Sequence, residues 1–278
     1  MPLGGQAVLE GVLLTDGQRA ALAVRTPQGI VVEALSVPRF PRLERLPFVR
    51  GAVKLYQLLA VGLAALERSA ALAFPEEKGS PGGFALAVGL ALLLLVGGFI
   101  VLPLFLATRT GLENRVLLNL VEGGIRVAFF ALYLGGIAFL PDVRRLFQYH
   151  GAEHKVVHAY EAGEPSLDGA LKHSPLHARC GTNFVFLFIA VALLLFSLVP
   201  AEAFWVRLLV RLGLLPVVAG ITYELLQLGA RTPALAPLLW PGLFFQRLTT
   251  REPEPGQIEV ALAALRQLLA ERSSSTTE

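Results

Sequence analysis

The hydrophobic pattern changes period along the chain. From Gly4 to Val37 it has the two-residue period of strands. Ala20, Leu22 and Val24 alternate there with Ala21, Ala23 and Arg25, and the pattern resumes at Ile30-Val31-Val32-Glu33. Thr15-Asp16-Gly17-Gln18 and Thr26-Pro27-Gln28-Gly29 are turn sequences, so the segment predicts a small β-meander. Val37-Pro38-Arg39-Phe40-Pro41 ends it, because proline cannot donate to a sheet ladder. Pro38, Pro41 and Pro47 make the next stretch a linker.

After Pro47 the apolar runs lengthen. Phe48 to Phe74 has helical composition, but Lys54, Glu67 and Arg68 leave a clear run well short of the ~20 residues a span needs. It predicts an amphipathic helix on the membrane surface, with a core helix under the meander as the alternative. Phe84 to Thr108 carries no charge and is the clearest transmembrane helix; Gly181 to Ala201 is the second. Val127 to Leu140 spans only if it reaches back past Arg126 towards Glu122, and Phe204 to Leu228 carries Arg207, Arg211 and Glu224. The positive-inside rule decides for four spans. Two spans would leave Arg144, Arg145, Lys155, Lys172 and Arg179 outside, whereas four return them to the side of Arg39, Arg42, Arg45, Arg50 and Lys54.

The predicted fold is a predominantly α integral membrane protein with about four transmembrane helices in two hairpins and a small cytoplasmic N-terminal β-meander. Its parts are the meander and linker (1–47), an interfacial helix (48–82), a first hairpin (84–140), a cytoplasmic His-rich loop (141–182), a second hairpin (183–229) and a cytoplasmic end (230–278). Within that end, Pro233 to Phe245 rests at the interface. Glu254 to Arg272 is a surface helix with Ile258, Leu262, Leu265 and Leu269 on one face, and Ser273 to Glu278 is disordered. Glu122, Arg126, Arg207 and Arg211 gather towards the outer side and read as anchors.

Composition agrees. Charged residues are 16% of the chain and mean hydropathy is +0.61, against roughly 25% charged residues in soluble domains. The net charge of +3 is mild and dispersed, which excludes a nucleic-acid groove. The single cysteine, Cys180, excludes an intrachain disulfide. The first residues lack the basic and apolar regions of a cleavable signal. Many Leu, Ala, Arg and Pro with one Met would suit a thermophile.

The chemistry concentrates between residues 150 and 177, where all five histidines fall. His150-Gly151-Ala152-Glu153-His154 places two histidines at i and i+4, on one helix face, so both can bind one metal ion. Glu153 beside them is the candidate general base, and inverted zinc-peptidase motifs share the spacing. His158 extends the face by a turn. His177 and Cys180 add donors suited to zinc, and Glu224, a carboxylate within a span, is a further candidate ligand. The candidate metal ligands are therefore His150, His154, His177, Cys180 and Glu224. A structural His/Glu network without metal is the plain alternative, and Cys180 with a histidine base is a candidate nucleophile.

Six stretches resemble the YqhQ-like family, bacterial multipass membrane proteins of unknown function. They are Gly4-Gly5-Gln6-Ala7-Val8-Leu9-Glu10-Gly11-Val12, Tyr149-His150-Gly151-Ala152-Glu153-His154-Lys155, Tyr160-Glu161-Ala162-Gly163, His177-Ala178-Arg179-Cys180-Gly181-Thr182-Asn183-Phe184, Gly220-Ile221-Thr222-Tyr223-Glu224 and Leu248-Thr249-Thr250-Arg251-Glu252-Pro253. They run in family order over nearly the whole chain. Members have been described as predicted metal-dependent enzymes, so the resemblance implies a label and a bacterial cytoplasmic (inner) membrane location; the positive-inside rule puts both termini on the cytoplasmic side. His158 and His173 fall outside these motifs and rank as surface residues.

Three functions are compatible with this reading. The first is a zinc-type hydrolase at the membrane surface. The second is a non-enzymatic assembly or scaffolding factor that binds other membrane proteins through its cytoplasmic face, and the third is a transporter. The bilayer is the partner common to all. The meander and tail are expected to cap the His/Glu cluster.

Overall fold

The computed structural model describes residues 3–76, 81–198 and 203–274. Four strands, β1 (Gly4–Val8), β2 (Gly11–Thr15), β3 (Arg19–Thr26) and β4 (Gly29–Ser36), pair antiparallel in the order β1-β2-β3-β4. This is the predicted meander, with both predicted turns in place. The β3–β4 turn needs Gly29, whose φ of 129° is closed to most residues.

The pleat sorts the sheet's side chains onto two buried faces. Val12, Leu14, Ala21 and Ala23 pack with the C-terminal helix α10 (Pro255–Ser274) and with α5 (Pro141–Glu161). Leu13, Ala20, Leu22 and Val24 pack with Val61 and Ala65 of α1 (Val49–Ala73). The α10 face named from the sequence is therefore a core face: Ile258, Leu262 and Leu265 are covered by the sheet, not laid on a surface. Of Ser273 to Glu278, expected to be disordered, Ser273 and Ser274 instead continue α10, and residues 275–278 lie outside the described residues.

Among the described residues, four helices are long and apolar enough to cross a membrane: Val49–Ala73, Gly82–Thr108, Val116–Ile137 and Phe204–Arg231. The second comprises α2 (Pro81–Val96), a π turn (Gly97–Val101) and α3 (Leu102–Thr108); the others are α1, α4 (Arg115–Ile137) and α8 (Phe204–Arg231). The expected span from Gly181 is a shorter helix, α7 (Gly181–Ser197), of 17 residues. Packing separates these helices further. One face of α1 lies on the sheet, and Arg68 near its end pairs with Glu33 of β4 at 2.6 Å. Its opposite face exposes Tyr56, Leu59 and Leu63. Helix α7 instead packs among α4, α8 and α9 (Trp240–Thr249).

Glu122, Arg126 and Arg211 are not anchors in this structure. Glu122 Oε1 accepts from Arg126 Nη2 at 2.7 Å and from Arg211 Nη1 at 2.5 Å, and all three are buried. Arg211 also donates to Asn119 Oδ1 at 3.2 Å, and Arg126 Nε donates to the Phe99 carbonyl of the π turn at 2.7 Å. Two cations and one carboxylate thus tie α4 to α8 and to the α2–α3 bulge. An apolar surrounding tolerates such charges only when they are paired.

Candidate metal centre

Helix α5 builds the site. Pro141 at its start has φ pre-set for a first turn, and the helix runs unbroken to Glu161. His150, Glu153, His154, Val157, His158 and Glu161 follow the three-to-four-residue spacing of one face. Gly151 sits inside this helix because another chain segment crosses there. A Cβ on Gly151 would meet the Arg251 carbonyl directly, and Arg251 N–H donates to the Phe147 carbonyl at 2.9 Å. The crossing segment, which follows α9, also pairs Glu252 with the buried Lys155 at 2.6 Å.

The crossing brings backbone carbonyls to the histidines. Carbonyl oxygens only accept, so each fixes a tautomer. His150 Nδ1–H donates to the Thr249 carbonyl at 2.9 Å and His154 Nδ1–H to the Pro175 carbonyl at 2.5 Å. Both Nε2 atoms therefore keep their lone pairs when neutral. His150 Nε2 lies 3.3 Å from Cys180 Sγ. Cys180 caps α7, accepting from Thr182 N–H at 3.4 Å. One donor atom each from His150, His154 and Cys180 lies within 4.8 Å of the others. A tetrahedral zinc ion with bonds of ~2.0–2.3 Å holds its donors about 3.3–3.7 Å apart, so this set fits a divalent ion after small side-chain adjustments.

His177 belongs to a neighbouring set with His158 and Glu161, also within 4.8 Å. Its chemistry differs. His177 Nδ1 accepts from Arg179 N–H at 3.2 Å, which puts the ring proton on Nε2, 3.8 Å from Glu161 Oε2. Arg179 holds the other oxygen of Glu161. Burial, with His154 and His158 adding to it, pushes the His177 pKa down to about 2, so the ring is neutral. His158 donates through Nε2 to the Leu176 carbonyl at 2.9 Å, and its pKa is lowered, first by burial. His173 stacks on His158 with ring centroids 5.9 Å apart. His158 and His173 are thus not simply surface residues: all five rings form one chain of contacts, His150–His154–His177–His158–His173. The i+4 spacing signalled His158, and Glu161 lay in a quoted motif. The contacts of Pro175 and Leu176 depend on loop geometry and left no signal in the sequence.

Glu153 lies 5% exposed beneath the sheet, where a Cβ on Gly5 would come within 2.7 Å of its Cγ. Burial raises its pKa to about 7, against the opposing pull of His150 and Arg179. Its Oε2 is 3.5 Å from His154 Nε2. A cavity of about 370 Å³ opens beside the cluster, lined by Gly5, His150, Glu153, His154 and Cys180 among others.

Glu224 is elsewhere. It accepts two hydrogen bonds from Arg50, at 2.7 and 2.6 Å, and one from Phe48 N–H at 3.3 Å. The carboxylate clasps the start of α1 where Gly51 meets Gly220 of α8. Its place within a span suggested a ligand; the structure makes it a helix-end clasp instead.

The family model for "Protein of unknown function (DUF1385)" matches residues 46–271. The chain belongs to this family. It is 34% identical over 294 residues to "Uncharacterized protein YqhQ" of Bacillus subtilis (strain 168), covering 96% of this chain and 92% of the relative. No solved structure matches. The match starts at residue 46 and so covers α5, the cluster and the tail strap, while the sheet above Glu153 lies before it.

Proposed function

We propose that this protein is a bacterial inner-membrane enzyme that uses a divalent metal, zinc by donor chemistry, for hydrolysis at the cytoplasmic membrane surface. The spans in this reading are α2–α3, α4, α7 and α8. Helix α1 is kept out of the bilayer core in this reading because its second half, through Val61 and Ala65, packs on the sheet, and 17 residues rising 1.5 Å each suffice for α7. Cytoplasmic orientation rests on the basic residues flanking α1 and α5.

The observation that carries the proposal is the donor set of His150, His154 and Cys180. Their backbone partners take both Nδ1 atoms, so each Nε2 keeps a lone pair; His150 Nε2 meets Cys180 Sγ at 3.3 Å, and the set lies beside a cavity. Three protein donors next to open space is the pattern of catalytic rather than structural zinc. A bound metal supplies Lewis acidity and lowers the pKa of water to about 7. The chain supplies the rest. Glu153, whose pKa lies near neutrality, takes up and returns the proton, and the carbonyls of Thr249 and Pro175 hold the rings in register.

A second reading rests on the 3.3 Å contact between Cys180 Sγ and His150 Nε2. The thiol would be the nucleophile, His150 the base and Thr249 O its orienter. One experiment separates them. Protein purified without a histidine tag is loaded with Co²⁺ and its absorption recorded. Thiolate-to-cobalt charge transfer that disappears in Cys180→Ser, and cobalt binding lost in His150→Ala and His154→Ala, support the metal reading. Absence of cobalt binding, with Cys180 alkylation slowed by His150→Ala, supports the thiol reading instead. A coordination shell closed by a fourth protein donor makes the site structural and favours the scaffolding role.

A further inference from the structure

The cavity says what kind of molecule the cluster faces. Its lining divides by element. Helix α5 and the segment leading into α7 contribute His150, Glu153, His154, Arg179 and Cys180. Helices α1, α7 and α8 contribute Leu55, Leu58, Val61, Phe184 and Leu226. Cationic groups at the lining are already engaged: Arg179 by Glu161, and Lys54 by Glu44 and Gln57. A small, highly charged substrate would find few free partners there.

The cavity's level is fixed by the same helices. Phe184 belongs to the first turn of α7, and Tyr223, Leu226 and Gln227 to the last turns of α8. It therefore lies where apolar helices begin and end. Around that level Tyr56, Trp240 and Phe244 expose rings to the outside, as aromatic residues do at membrane interfaces. At about 370 Å³ the space matches the liquid volume of on the order of a dozen waters at ~30 Å³ each. That is room for one chain's end or a head with the start of one chain, not for two chains.

We propose that the cavity binds a single-chain amphiphile, its polar head at the His150–His154–Cys180 cluster and its chain along Leu55, Leu58 and Phe184. The head position rests on the function proposed above; the chain position does not. The full-length protein is placed in lipid nanodiscs and stripped of metal with chelator. It is then irradiated with a lysophosphatidylcholine carrying a diazirine in its acyl chain, and labelled residues are mapped by mass spectrometry. Labelling at Leu55, Leu58 or Phe184 is expected, competed by unlabelled lysophosphatidylcholine and reduced at least tenfold by Leu58→Trp. Leu55→Trp is the second blocking variant if Leu58→Trp does not fold. Label confined to outward-facing residues such as Leu93, Leu132 and Phe139 would overturn the proposal. So would equal competition by glycerophosphocholine, which has the head without the chain. Because the label is read without metal, failure of the metal reading leaves this result standing, and the reverse also holds.

Discussion

Glu153 gives the sharpest test of the site's electrostatics. The carboxyl is held under the sheet with no arginine or lysine bonded to it, and burial raises its pKa from 4.5 to about 7. The folded state then holds this proton more tightly than the unfolded chain does. The resulting stability is fully present below pH 4.5, declines as pH rises towards 7, and is gone above that. At about 1.4 kcal/mol per pH unit, the difference between 4.5 and about 7 amounts to about 3 kcal/mol. Glu153→Gln keeps the shape and removes the titration. Metal-free wild type and variant should therefore melt alike at pH 4. The variant should gain steadily above that and melt higher by roughly 6–12 °C at pH 8, taking about 2–4 °C per kcal/mol. Thermal unfolding followed by reaction of Cys180 with a thiol-sensitive dye measures this, since that thiol is buried in the fold. Parallel pH profiles for the two proteins, with no divergence between pH 4.5 and 7, would refute the argument that burial controls this carboxyl. Metal loading should narrow the gap, because a neighbouring cation favours the carboxylate.

The other predictions concern which contacts carry the site. Glu224→Ala should release the start of α1 and lower stability by about 1 kcal/mol, the contact being partly screened, yet leave metal stoichiometry unchanged; a lost metal would restore Glu224 as a ligand. Gly151→Ala should lower stability by about 1–3 kcal/mol through overpacking, despite the better helix former, and speed hydrogen exchange at the Arg251 amide. Metal titration should saturate at one ion per chain, with His158→Ala retaining it and His154→Ala losing it; two ions lost in steps would show that the His177 set also binds metal.

The strands, the turns and the α5 donor face were legible because each depends on local period. Alternation gave the meander, and i,i+4 spacing gave His150 and His154. What the sequence hid was which surfaces meet. The run from Phe48 read as a membrane-surface helix and the tail helix as a surface helix, because an apolar stripe looks the same whatever covers it. Here Val61 and Ala65 on one side, and Ile258, Leu262 and Leu265 on the other, bury the same four-stranded sheet. Glu224 was misread for a related reason. A carboxylate near a helix end attracts any cation, and only the fold shows that Arg50, 174 residues away in sequence, reaches it.

The two polar clusters differ in how tightly their members are joined, and the proposed function rests on that difference. In the helix bundle, Glu122 Oε1 serves two arginines, and Arg126 and Arg211 spend further donors on Phe99 O and Asn119. Such a set holds helices together. At the α5 end the side chains meet one another less closely. His150 and His154 each spend one nitrogen on a carbonyl, and their other nitrogens, with the Cys180 sulfur, face one another beside open volume. Their contacts are long: His150 Nε2 to Cys180 Sγ at 3.3 Å, Thr182 N–H to Cys180 Sγ at 3.4 Å and His154 Nε2 to Glu153 Oε2 at 3.5 Å, against 2.5 and 2.7 Å from the arginines to Glu122. In the proposed reading a divalent metal would replace these long contacts at all three atoms, with the cavity beside it.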